Sequence, residues 1–138
     1  MVFRIGLFSR AAVLLAVCMA LTPAVFTVGP YLESKYFPVT RNTEILNEAT
    51  METGTSFYVR FRKVRQCAFA GLAWYAGDQR LPLNFEPSAD QAPSTRPAGS
   101  QFAGPWFVLG LGGVEGSRAY AYHRCHPLWT TITQFYAG

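Results

Sequence analysis

The sequence predicts a mainly β protein: a small antiparallel sandwich or partly closed barrel of about six strands, preceded by one N-terminal hydrophobic helix. Three observations carry this. An uncharged run extends from Ala11 to Leu32; short apolar segments with a period of two follow it, separated by turn residues; and the 138-residue chain is 50% hydrophobic and 15% aromatic but only 14% charged, with nine Pro and twelve Gly. That composition excludes disorder and favours a turn-rich β fold with an aromatic core. The length is that of one domain.

Residues 1–32 read as a membrane anchor or signal peptide. The run Ala11–Leu32 holds 22 residues. At about 1.5 Å of rise per residue it can cross a hydrocarbon core of roughly 30 Å. Arg4 and Arg10 precede it and Glu33 is the first charge after it, so the positive-inside rule places the N-terminus in the cytoplasm and the domain in the periplasm or outside the cell. The competing reading is secretion after cleavage near Ala20 or Ala24, although neither position has a good small-residue pattern. Leu15-Ala16-Val17-Cys18 approaches a lipoprotein box, but Val17 stands where a small residue is wanted, so Cys18 reads as inert. Pro23 and Gly29-Pro30 predict a kink and then a helix end near Gly29.

Residues 33–54 read as a polar connector, with one short helix over Thr43–Met51 capped by Asn42 or Thr43. The β domain is expected over residues 55–138. Its clearest strand is Ser56–Arg62, with Phe57, Val59 and Phe61 on one face and Tyr58, Arg60 and Arg62 on the other. Continued parity would bury Lys63 and Arg65, so a bulge or strand end there is expected to leave an exposed basic corner. Gln66–Ala76 is the second strand, closed by Gly77-Asp78, and Arg80–Phe85 the third, with Pro82 marking a sheet edge. A Pro-rich surface loop is expected over residues 87–105, around Pro87, Pro93, Pro97 and Pro105. Trp106–Leu111, Arg118–Cys125 and Leu128–Tyr136 complete the six strands.

Cys67 and Cys125 are the two cysteines outside the membrane run, and in an oxidising compartment they are expected to pair. Two Cys with a Trp between them invite comparison with an immunoglobulin sandwich. Trp74 follows Cys67 too closely, however, and His123 stands where the tyrosine corner needs Tyr, so only the sandwich architecture is kept. The segments Arg65-Gln66-Cys67-Ala68-Phe69 and Tyr122-His123-Arg124-Cys125-His126-Pro127-Leu128-Trp129-Thr130 resemble uncharacterised small exported proteins of bacterial and phage genomes. The resemblance implies export and no particular activity.

Ten of the twelve Lys and Arg lie after residue 32, against eight Asp and Glu. A nearly balanced exported part gives no electrostatic reason to expect nucleic acid as a partner. No Gly-x-Ser-x-Gly elbow or convergent carboxylate pair is present, so no catalytic residue and no cofactor is expected and the protein reads as a non-enzyme. His123 and His126 are the one place for metal chemistry, but a disulfide consumes the neighbouring thiolate and the two imidazoles fall on opposite strand faces, so no metal is assigned.

The expected function is therefore that of a membrane-tethered exported β domain acting as a protein-binding or structural accessory subunit of the cell envelope. Its partners would be the bilayer, through residues 11–32, and a protein met by sheet edges, the Pro-rich loop or the aromatics Tyr120, Tyr122, Trp129, Phe135 and Tyr136. The alternatives are an exported metal-binding protein using His123 and His126, or a phage-encoded envelope protein.

Overall fold

The computed structural model describes residues 2–85 and 96–138. The uncharged run lies inside one long helix, α1 (Val2–Tyr36), about 52 Å in length at the usual rise. It is the one helix among the described residues that is long and apolar enough to cross a membrane, an 18-residue stretch of it having a mean hydropathy of 2.3. Both prolines stay inside it. Thr22 and Thr27 fold their hydroxyls back onto the carbonyls of Cys18 and Pro23 at 2.7 and 2.9 Å, a form of local back-bonding common in apolar helices. The helix does not end near Gly29 as the sequence predicts. It continues to Tyr36 because contacts with the β domain hold its last two turns.

Eight strands follow: β1 (Thr40–Met51), β2 (Gly54–Lys63), β3 (Ala68–Ala76), β4 (Gln79–Leu81), β5 (Leu83–Phe85), β6 (Gly99–Leu109), β7 (Ser117–Arg124) and β8 (Thr131–Ala137). They form two antiparallel four-stranded sheets, ordered β1-β2-β6-β5 and β4-β3-β7-β8, in an open sandwich. Between the sheets lie Phe57, Val59 and Phe61 of β2, Val108 of β6, Leu72 and Trp74 of β3, Ala119 and Ala121 of β7 and Phe135 of β8. Trp74 and Phe57 are fully buried, with ring centroids 4.9 Å apart. Each such side chain contributes roughly 1.5–3 kcal/mol through burial.

Several expectations are corrected. Thr43–Met51 is not a short helix but most of the edge strand β1, whose register slips at Arg41/Glu44 and again at Leu46/Ala49. Asn42 and Asn47 take left-handed backbone at those two slips, with φ of 52° and 50°, a conformation that Asn tolerates better than most residues. The third strand divides at Pro82. Leu81 pairs with Trp74 in one sheet and Leu83 with Val108 in the other, so the chain crosses between sheets where proline cannot donate to a ladder.

The expected loop over 87–105 is shorter at its C-terminal end, since β6 already begins at Gly99; residues 86–95 lie outside the described residues. Gly104-Pro105, a cis pair, sits where the β2–β6 register shifts between Phe57 and Val59, and a bulge is a position that admits Pro in an inner strand. Lys63 does end β2, but the basic corner is not exposed. The Lys63 side chain is buried and gives its ammonium to the Cys67 carbonyl at 2.7 Å.

Candidate functional site

The polar centre of the molecule lies where α1 meets the sandwich. Glu33, on the last turns of α1, is only 9% exposed. Its Oε1 accepts from Arg65 Nη1 at 2.8 Å, and its Oε2 accepts from Trp129 Nε1 at 2.6 Å, Thr131 Oγ1 at 3.0 Å and His126 Nε2 at 3.1 Å. A carboxylate sheathed by four donors, one of them cationic, meets the condition for burying a charge without a large penalty. His126 Nδ1 accepts the Leu128 N–H at 3.2 Å. With that nitrogen an acceptor, the Nε2–H tautomer serves Glu33, and both ring nitrogens are used.

Trp129 also packs against the helix surface. A Cβ built on Gly29 would stand 2.7 Å from the indole Cη2, so glycine is the residue that lets the ring lie against the helix backbone. Phe26 meets the same ring edge-on at 6.1 Å, and His126 does so at 4.5 Å. Beyond Tyr36 the chain stays attached: the Phe37 carbonyl accepts from Arg65 Nη1 at 2.8 Å, and the Val39 N–H donates to Thr133 Oγ1 at 3.1 Å. Helix, β8 and the start of β1 thus share one network.

Cys67 and Cys125 are joined, with Cα atoms 4.7 Å apart. They flank the last register pair of β3 and β7, Ala68 with Arg124, so the bridge extends a ladder within one sheet and does not link the two sheets. Next to it, His123 is buried against Phe69 at 5.7 Å, and its Nδ1 has no partner. Burial, followed by the charges of Lys63 and Arg65, lowers the His123 imidazole to about 4. Burial also lowers the Lys63 ammonium, with Arg96 adding to the effect. His123 and His126 therefore do not converge: one is neutral in the interior, while the other is committed to Glu33. Among the described residues no group of three or more His, Cys, Asp or Glu is placed to hold a metal ion.

Of the aromatics expected at a contact surface, Phe135 is in the core, Tyr136 stacks on Trp74 at 5.5 Å and Trp129 belongs to the helix seat. Tyr120 and Tyr122 stand on the outer face of β7, where Tyr75 meets Tyr120 at 5.9 Å. Burial, then Tyr75, raises the Tyr122 phenol. The opposite sheet carries a second outer cluster that sequence reasoning did not single out. Tyr58 and Phe102 stack at 5.5 Å with planes 15° apart, and Arg60 sits across from Phe102 in register. Gly104 lies beneath this stack with φ of 128°, where a Cβ would meet Tyr58 at 2.9 Å.

An open groove of about 670 Å³ is lined in part by Glu48, Leu111, Gly113 and Glu115. Glu48 is already engaged, accepting the Val114 N–H at 2.8 Å. Comparison of the chain with known protein families, characterised proteins and solved structures finds no match.

Proposed function

We propose that the chain is a membrane-tethered exported β domain that acts, without catalysis of its own, as a protein-binding or structural accessory subunit in the cell envelope. The observation that carries this reading is the seat at Glu33. A flexible tether would need no buried carboxylate, no indole against a glycine and no bonds from Arg65 and Thr133 to the chain beyond the helix. A fixed seat holds the outer faces of both sheets in one orientation to the membrane, as an assembly component requires. Arg4 and Arg10 before the apolar run support a cytoplasmic N-terminus, and the Cys67–Cys125 bridge fits an oxidising compartment. Secretion after cleavage is compatible with the same seat, because cuts after Ala20 or Ala24 spare Phe26, Gly29 and Glu33; N-terminal sequencing of the membrane fraction separates the two.

The partner surface in this reading is a sheet face and not an edge. Of the four edge strands, β1 is broken by two bulges, β4 and β5 are three residues each, and β8 lies beside α1 and β1, features that discourage strand addition. The Tyr58–Phe102–Arg60 cluster joins exposed aromatic area to a guanidinium, the residue types enriched in protein interfaces. A photo-crosslinking residue at position 102 should capture a discrete envelope protein in intact cells, and one at Asp78 should not. Equal labelling from both positions, or none from position 102, would refute the proposal.

A further inference from the structure

The loop between β7 and β8 has an exposed apolar tip beside the helix. Leu128 is 59% exposed, and Pro127 before it is exposed as well. Trp129 lies against Gly29 and Phe26, three and six residues before Leu32, the end of the uncharged run. At about 1.5 Å per residue the indole sits roughly 5–9 Å inside that end. A sandwich standing clear of the membrane could not touch the helix at this level.

We propose that this loop, with Leu128 at its tip and Trp129 behind it, enters the outer leaflet beside α1, so that the sandwich rests on the lipid surface. The inference rests on the reading of α1 as a retained membrane anchor. The occupant of the apolar tip is the phospholipid of the bilayer that α1 crosses, for three reasons. The depth of Trp129 is fixed by its helix contacts, and indole favours the boundary between hydrocarbon and headgroups. Tyr31 is exposed near the end of the uncharged run, and Tyr36 and Phe37 are exposed roughly 6–8 Å beyond it, with the Lys35 ammonium 5.4 Å from the Tyr36 ring. These form an aromatic and basic collar of the kind that anchors helices at the interface. Finally, two polar groups near this level have partners: Glu33 has four donors, and the Leu128 amide at the tip is taken by His126. Both are conditions for entering a medium without water.

The test uses the full chain with Cys18→Ser and Leu128→Cys, nitroxide-labelled with the disulfide intact, in vesicles of phosphatidylethanolamine and phosphatidylglycerol. A matching Asp78→Cys label provides the water-facing reference. Collision with a water-soluble nickel chelate should be several-fold lower at position 128 than at 78, while collision with oxygen, which concentrates in lipid, should be higher. Nickel access equal to that at position 78 would overturn the inference. So would shielding from both reagents, which would mean that protein covers the tip. Flotation of the same sample reports on the anchor separately: protein that fails to float with the vesicles removes the anchor reading and the inference with it.

Discussion

The Glu33 carboxylate takes the Trp129 indole N–H at 2.6 Å across 96 residues of sequence, and this bond joins the end of the long apolar helix to the last hairpin of the sandwich. Glu33→Ala would strand the Trp129 and Thr131 donors and leave Arg65 without its carboxylate. A loss of roughly 1–3 kcal/mol is expected, the usual cost of orphaned buried donors. Chemical denaturation of the detergent-solubilised protein checks it, and Glu33→Gln, which keeps one acceptor oxygen, should fall between the variant and the parent.

Gly29→Ala gives a second outcome, opposite to simple helix propensity. Alanine favours helix over glycine by about 1 kcal/mol, yet its Cβ at position 29 would meet Trp129 at 2.7 Å. The indole cannot swing away without losing Glu33. A net loss of about 1–3 kcal/mol, the range of overpacking, is expected in thermal melts. Gly6→Ala, where a Cβ meets nothing within 4 Å, is the control and should be neutral or mildly stabilising.

Acid should weaken the sandwich through His123. Its imidazole titrates near 4 in the folded protein, below the usual 6.5, so the unfolded chain takes up the proton first. Stability is fully present above about pH 6.5, falls as pH drops toward 4 by up to about 3 kcal/mol, and then levels off for this group. Urea midpoints measured across that window should show the fall in the parent protein and a shallower one in His123→Gln.

The Cys67–Cys125 bridge makes stability depend on an oxidising compartment. The bridge spans 58 residues of sequence, so its loss should cost up to about 4 kcal/mol by the loop-entropy estimate. Cys67→Ser/Cys125→Ser protein should melt lower by a matching amount. A phosphatase that folds only in oxidising compartments should be active when fused after Gly138. Activity only of a cytoplasmic reporter would reverse the topology.

The parts of this molecule that follow local rules were legible in the sequence. The uncharged run, the alternation from Ser56 to Arg62, the turn at Gly77-Asp78 and the pairing of Cys67 with Cys125 each depend on neighbours in the chain or on counting. Strand β1 was hidden because the left-handed residues Asn42 and Asn47 reset its parity twice, so no stretch of it alternates for long. The start of β6 was masked by Gly104-Pro105, which reads as a loop until a bulge admits it. Pro82 marked an edge correctly, but nothing local says that the chain changes sheets there. Glu33 was visible only as the first charge after the uncharged run. Its donors lie 32, 93, 96 and 98 residues away, and their convergence is a property of the fold alone.

The fixed seat of the sandwich on α1 is tested most directly by a distance between the two. Nitroxides at Val28→Cys and Asp78→Cys, in the Cys18→Ser background with the disulfide intact, can be measured by double electron–electron resonance in lipid nanodiscs. One narrow distance peak is expected, broadening when Glu33→Ala is added. A broad distribution in the parent protein, unchanged by Glu33→Ala, would mean that helix and sandwich are flexibly joined and would contradict the seat at Glu33.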